Sequence, residues 1–157
     1  CRIIAIDNSP AMIKRCGEIL AEQDGIELRL GDIRETDIHN ASMVALNYTL
    51  QFLSLDDRDA MIARIFEGMN DGGLLVLSEK VVDEDPHMEE LLVDLHHEHK
   101  RRNDYSALEI ARKRAALENV LLPETVAKHR ERLANAGFRH TGVWLRYFNF
   151  VSIVAIR

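Results

Sequence analysis

Three short polar residues stand where apolar runs stop: Asp7 after Ile3-Ile4-Ala5-Ile6, Asp32 after Leu30-Gly31, and Asn47 after Ala45-Leu46. Apolar, β-branched runs of this length read as buried strands. A polar residue at the carboxyl end of such a strand reaches the rim where open α/β sheets bind ligands. A carboxylate at the place of Asp7 accepts hydrogen bonds from ribose hydroxyls, and Asn8 lies beside it. Asp32 can accept from an adenine amino group, with the Ile33 amide next to it facing a ring nitrogen. Asn47 suits the charged tail of the same ligand. Together the three strand ends point to a nucleoside-containing cofactor. Each one alone has a plainer reading, because Asp, Asn and Ser also cap turns and helix starts.

In nucleotide-binding βαβ units a Gly-rich loop lies roughly 20 residues before the acid. Only six residues precede Asp7, so the sequence displays one half of a cofactor site.

The elements that must carry these residues alternate short apolar runs with helix-length amphipathic ones, the pattern of an α/β fold with a largely parallel sheet. Strands are expected at Arg2–Ile6, Ile26–Leu30, Ser42–Leu46 and Leu74–Ser78, with Asn70-Asp71-Gly72-Gly73 as the turn leading into the last. Helices are expected at Pro10–Glu22, opened by its proline, and at Leu55–Gly68, where Leu55, Ile62, Ile65 and Met69 share a face. From Pro86 the chain turns long, charged and helical, with a break at Asn103-Asp104-Tyr105-Ser106, which makes residues 86–119 a helical excursion. A further helix, Pro123–Ala136, meets Gly137 where a terminating glycine belongs. Phe138–Arg157 reads as two strands split near Phe148-Asn149, hence an antiparallel hairpin on the sheet edge. Residues 1–157 are thus expected to form one Rossmann-like domain.

Composition is that of an ordinary soluble domain: 157 residues, 46% hydrophobic and 29% charged. No apolar run approaches the roughly 20 residues of a membrane span, and the N-terminal stretch has no signal-peptide layout. Cys1 and Cys16 show neither metal spacing nor a disulfide framework, which suits a reducing, cytoplasmic setting. The net charge of −6 argues against tight nonspecific binding to nucleic acid. Its distribution is uneven. Residues 1–99 hold 8 Lys and Arg against 21 Asp and Glu, net −13, whereas residues 100–157 hold 12 against 5, net +7. A basic second half can steer an anionic small molecule or pair with an acidic partner surface, although charge on solvated helix faces is the plainer account.

His96, His97 and His99 are close, and positions 96 and 99 share a helix face. Without a nearby cysteine or an i+4 histidine they complete no zinc set, so packing or substrate contact is expected and no metal. Tyr105 and Arg101 lie nearby and can meet an anionic substrate. The Trp144–Phe150 aromatics, spaced as strand residues, are expected in the core or at a subunit interface rather than stacking on bases. Arg112-Lys113-Arg114 reads on pattern as a solvated basic face.

Ile-Ile-Ala-Ile-Asp-Asn-Ser-Pro-Ala-Met (3–12), Gly-Asp-Ile-Arg (31–34), Leu-Asn-Tyr-Thr-Leu-Gln-Phe-Leu (46–53) and Leu-Val-Leu-Ser-Glu-Lys (75–80) resemble the class I S-adenosylmethionine (SAM) methyltransferase fold. With Asp-Leu-His-His (94–97), Lys-Arg (113–114), Leu-Glu-Asn-Val (117–120) and Phe-Asn-Phe (148–150), the whole chain resembles the carboxy-S-adenosylmethionine synthase family. The resemblance implies SAM and prephenate as substrates, carboxy-SAM and phenylpyruvate as products, and use of the product in 5-oxyacetyl modification of the tRNA wobble uridine by a separate enzyme. An ordinary SAM-dependent methyltransferase is the alternative.

It further implies a cytoplasmic homodimer that binds neither tRNA nor membrane. Among residues it implies Asp7 and Asn8 at the ribose, Asp32 and Ile33 at the adenine, Asn47 at the amino-acid tail, and Arg114 on the new carboxylate as the catalytic contact. A guanidinium suits that last role because it offers two parallel donors and keeps its charge. The family's first strand, Gly-rich loop and an upstream tyrosine precede the position of Cys1. They are expected in a portion of the protein outside this sequence.

Overall fold

The computed structural model describes residues 1–106, 108–109, 111–112, 117 and 120–157. These form two compact units, Cys1–Asp37 and Ile38–Arg157.

The first unit is a β-α-β turn of chain. β1 (Ile3–Asp7) and β2 (Ile26–Leu30) pair in parallel with Ile3 opposite Ile26 and Asp7 opposite Leu30. Between them runs α1 (Pro10–Ile19), whose start is built by its sequence: Ser9 accepts the Met12 N–H through its hydroxyl at 3.4 Å, and Pro10 takes the first turn. The helix stops at Ile19, three residues before the expected Glu22.

The second unit is a four-stranded mixed sheet in the order β3-β4-β6-β5. β3 (Ala41–Asn47) and β4 (Met69–Lys80) are parallel and are joined through α2 (Leu55–Gly68). After β4 come α3 (Pro86–Arg102), α4 (Val126–Ala136), β5 (His140–Tyr147) and β6 (Phe150–Ile156). β6 runs antiparallel to both β4 and β5, so the expected hairpin is there and supplies the edge strand β5. Among the described residues, no helix is long and apolar enough to cross a membrane.

Two boundaries differ from expectation for physical reasons. Asn70-Asp71-Gly72-Gly73 is not a turn ahead of the strand; it lies inside β4 as an irregular stretch, with Gly72 at φ 73°. Main-chain pairing overrides the turn propensity there: Gly72 donates to the Arg157 carbonyl at 3.3 Å and Arg157 donates to Gly73 at 3.1 Å. α4 begins at Val126 rather than Pro123, because the Thr125 hydroxyl accepts the Lys128 N–H at 3.2 Å and so acts as the cap. α3 ends at Arg102, and the expected break follows as a turn with Asp104 at φ 64°.

The core of this unit is the inward row of each element: Leu75 and Leu77 of β4, Val151, Ile153 and Ala155 of β6, Met61, Ile62 and Ile65 of α2, and Leu133 of α4. Each large aliphatic side chain so buried contributes about 1.5–3 kcal/mol. Phe66 and Phe138 meet edge to face at 5.1 Å beside the end of α4. Gly137 ends that helix at φ 111°, and a Cβ there would come within 2.7 Å of the Phe66 ring. Gly137→Ala therefore combines backbone strain with a clash and is expected to lower stability by about 1–3 kcal/mol. Urea denaturation measures it, and a loss under 0.5 kcal/mol would contradict this account.

The same unit buries an ionic network. Arg58 of α2 has no exposed side-chain surface. It donates to Glu124 at 2.5 Å and to the carbonyls of Gln51 and Leu53 at 3.1 Å. Glu124 also receives Arg132 of α4 at 2.9 Å, and Arg132 reaches Asp59 at 2.5 Å. His129, on α4, is 1% exposed, and burial pushes its ring down to about 4.

Candidate functional site

In the first unit the parallel register brings the carboxyl ends of β1 and β2 to one edge, where Gly31 donates to the Asp7 carbonyl at 3.1 Å. Asp7 is half-buried there. Its Oδ1 accepts the Ser9 N–H at 2.7 Å, forming the turn that starts α1. Its Oδ2 has no hydrogen-bond partner among the described residues, so a carboxylate oxygen is left to accept from a ligand. Asn8 is exposed beside it. The helix-capping and ligand-binding readings are thus compatible, one oxygen for each.

Asp32 lies two residues past the end of β2 and opens the one-turn 3-10 helix Ile33–Glu35. Its carboxylate is engaged in a way the sequence reading missed. Arg34 donates its own N–H at 2.8 Å and its guanidinium at 2.6 to 3.1 Å. These bonds hold the Asp32 carboxyl down at about 2, first through the Arg34 side chain and then through its backbone amide. Asp32 is therefore a firmly ionised acceptor whose lone pairs are shared with Arg34. Ile33 is the first residue of the 3-10 turn, so that turn's own ladder does not use its N–H.

In the second unit, Asn47 is the last residue of β3, opposite Ser78 of β4, and its side chain is exposed. It borders a pocket of about 200 Å³ that is also lined by Tyr48, Ser78, Trp144, Phe150 and Ser152. Tyr48 has φ 54°, a left-handed backbone that is costly for an aromatic residue, on the order of 1–3 kcal/mol. Its N–H donates to the Ser78 carbonyl at 2.7 Å and its ring meets Phe150 edge to face at 5.8 Å.

His96 and His99 lie against aromatic rings. His96 stacks near Phe148 and Phe150 at 5.9 and 5.1 Å, and His99 meets Tyr147 at 5.4 Å. Burial, with Lys100, His97, Lys80 and His99 adding to it, pushes the His96 ring down to about 4. Among the described residues no three His, Cys, Asp or Glu side chains converge on a metal position. Of the two places expected for the aromatic stretch, Trp144 and Tyr147 do not take the core, being 64% and 53% exposed in the single chain. The pairing of β5 with β6 slips between Val143 and Leu145, which upsets the strict alternation of faces, and the Trp144 ring N–H donates to Ser152 at 2.7 Å. Arg101 is tied to Glu98 at 2.9 Å, and Tyr105 is exposed. Arg114 lies outside the described residues.

The sequence reading also passed over Glu79 and the Arg58–Glu124–Arg132 network. Glu79 had a signal: in Leu-Val-Leu-Ser-Glu-Lys the period of two that buries Leu75 and Leu77 also buries position 79. Arg58 had none, since its partner Glu124 lies 66 residues away.

Comparison with known proteins decides which family these strand ends belong to. Over the whole of this chain, the carboxy-S-adenosyl-L-methionine synthase of Shewanella oneidensis is 52% identical and that of Shewanella baltica 51% identical. The chain belongs to the carboxy-S-adenosyl-L-methionine synthase family. It spans 66% of the length of these synthases. No family model matches it.

The solved structures it resembles share the fold alone. An O-methyltransferase family 2 protein from Planctomyces limnophilus, in complex with apigenin, superposes with a TM-score of 0.71 at 19% identity. That match covers 99% of this chain and 43% of the other. Human N-acetylserotonin methyltransferase, in complex with SAM, gives 0.66 at 17% identity, covering 100% of this chain and 41% of the other. The class I methyltransferase architecture that the resemblance implies is therefore the fold of this synthase-family chain.

Proposed function

We propose that this protein is a transferase that makes carboxy-SAM from SAM and prephenate, with release of phenylpyruvate. The observation that carries the reading is the 52% identity to a synthase of that name, sustained over the whole chain. In this reading Asp7 and Asn8 hold the ribose hydroxyls, Asp32 and Ile33 the adenine edge, Asn47 the amino-acid tail, and Arg114 the new carboxylate. The residues described fit such a ligand in one testable respect. At Asp7 an ionisable oxygen at a strand end is left over after the local turn has been satisfied.

The sulfonium methyl group loses a proton, and the positive sulfur stabilises the carbanion that remains. Prephenate aromatises, losing its ring carboxyl group as carbon dioxide and its ring hydroxyl group. The ylide carbon bonds to the carbon dioxide, while the hydroxyl and the methyl proton leave together as water. The protein's part is to hold both anionic groups and keep water from the ylide.

The product then serves 5-oxyacetyl modification of a tRNA wobble uridine by another enzyme. The net charge of −6 suits a protein that does not itself hold tRNA. We place it as a single-domain subunit of a cytoplasmic homodimer, with residues 86–119 as the interface.

Incubation of the full-length protein with SAM and prephenate is expected to yield phenylpyruvate and a carboxymethyl sulfonium by mass spectrometry. Unchanged prephenate, with methyl transfer alone, would establish an ordinary methyltransferase instead. Asp7→Ala is expected to weaken SAM binding about 10- to 100-fold, the loss of hydrogen bonds to a charged acceptor. Calorimetric titration reads it, and affinity within twofold of the parent would remove Asp7 from the site.

A further inference from the structure

Glu79 is a carboxylate with 1% exposure at the end of the buried row Leu75, Leu77, Glu79. It receives three successive backbone N–H groups. Thr49 and Leu50 donate to Oε1 at 3.3 and 2.9 Å, and Gln51 donates to Oε2 at 3.0 Å. Adjacent bonds tie the same two segments together. Tyr48 donates to the Ser78 carbonyl at 2.7 Å, and the Lys80 N–H donates to Gln51 Oε1 at 2.9 Å. Residues 78–80 of β4 therefore engage every residue from Tyr48 to Gln51. Consecutive amides converging on one anion form a nest. The left-handed Tyr48 stands at its mouth, and a strained residue of that kind persists only where its surroundings over-determine it.

We propose that Glu79 is a positioning residue for the ligand contact at Asn47: its carboxylate holds the turn 48–51 and, through Tyr48, sets the direction in which β3 delivers Asn47. This rests on the reading of Asn47 as a contact to the amino-acid tail of SAM.

The clamp needs acceptors on both oxygens. A glutamine keeps the shape but turns an NH2 group toward an N–H donor, and a protonated carboxyl group does the same in milder form. Burial pushes the Glu79 carboxyl up to about 7, against the pull of the Gln51, Leu50 and Thr49 amides and of Arg58 on α2. Arg58 is itself paired with Glu124. The clamp is thus complete above about pH 7 and loosens below it.

The test is the dissociation constant of SAM, by calorimetric titration from pH 5.5 to 8.5, for the full-length protein, Glu79→Gln, Asn47→Ala and the double variant. At pH 8 Glu79→Gln is expected to bind about 10-fold more weakly, the scale of one hydrogen bond to a charged group. The parent should lose a similar factor on passing below pH 7, a step that both single variants lack. A titration of SAM itself would appear in all four proteins alike and so subtracts. The double variant should bind within twofold of Asn47→Ala, because Glu79 acts through that residue.

Parental affinity in Glu79→Gln at pH 8, or losses that add in the double variant, would overturn the proposal while leaving the Asn47 contact intact. Parental affinity in Asn47→Ala would overturn the contact and the proposal with it. If Glu79→Gln does not fold, the parent and Asn47→Ala decide alone: a step that persists in Asn47→Ala overturns the proposal.

Discussion

Arg58→Ala is expected to lower the unfolding free energy by about 3–5 kcal/mol, the effect of breaking one side of a buried ion pair. The side chain has no exposed surface, and its loss strands more than a charge. Among the described residues Glu124 keeps only the Arg132 guanidinium, and the carbonyls of Gln51 and Leu53 lose their guanidinium donors. Urea denaturation of the parent and variant measures the loss, and a change below 1 kcal/mol would show the network to be dispensable.

The network also sets the response to acid. Burial raises the Glu124 carboxyl, but the hydrogen bonds from Arg132 and Arg58 more than reverse this and leave it below its usual 4.5. A group held low in the folded state stabilises it above the unfolded value, and that stabilisation is lost as pH falls through the folded value. His129 acts in the same direction earlier, between its usual 6.5 and about 4. Glu79, raised from 4.5 to about 7, acts oppositely, and stability falls as pH rises through that window. Arg58→Ala removes part of what holds Glu124 low, so its stability deficit against the parent should be largest at neutral pH and shrink as pH falls through the Glu124 titration.

The second large effect concerns Arg114. Arg114→Leu is expected to reduce carboxy-SAM formation by at least about 100-fold, since a bidentate charge-assisted pair contributes roughly 1.5–3 kcal/mol per bond. SAM itself carries no carboxylate on its methyl group, so its own affinity should change less than about threefold if Arg114 faces only the new group. This split separates a carboxylate clamp from a general cofactor contact. Product yield by mass spectrometry and SAM binding by calorimetry give the two numbers. Unchanged yield would remove Arg114 from the carboxylate contact. Arg114→Lys, which keeps the charge but loses the planar fork, should recover only part of the yield.

What was legible in the chain follows the range of each interaction. β1, α1, α2 and the final hairpin rest on local signals: the Ile3–Ile6 run, Ser9-Pro10, the α2 apolar face and the split near Phe148-Asn149. Gly137 marked the end of α4 because only a residue without Cβ suits φ 111° beside Phe66. The strand-end positions of Asp7, Asp32 and Asn47 came from the same patterning. What escaped was set by partners distant in sequence or by a competing neighbour. Arg157 draws Gly72 and Gly73 into β4, Glu124 pins Arg58, and Arg34 occupies a carboxylate that reads in sequence as open. The one-residue slip in pairing at Trp144 is likewise invisible in a period-two pattern.

β6 lies between β4 and β5, so the middle of the second sheet is completed only by the strand that follows both of its neighbours in the chain. Leu74 waits for Ile156, and Lys80 for Phe150. Until then β4 carries an open edge beside the apolar row Leu75 and Leu77. Pairings this far apart in sequence make for slow closure. During synthesis this unit is therefore exposed to aggregation for as long as its middle strand is missing, and chaperone capacity, more than final stability, should govern its yield in cells.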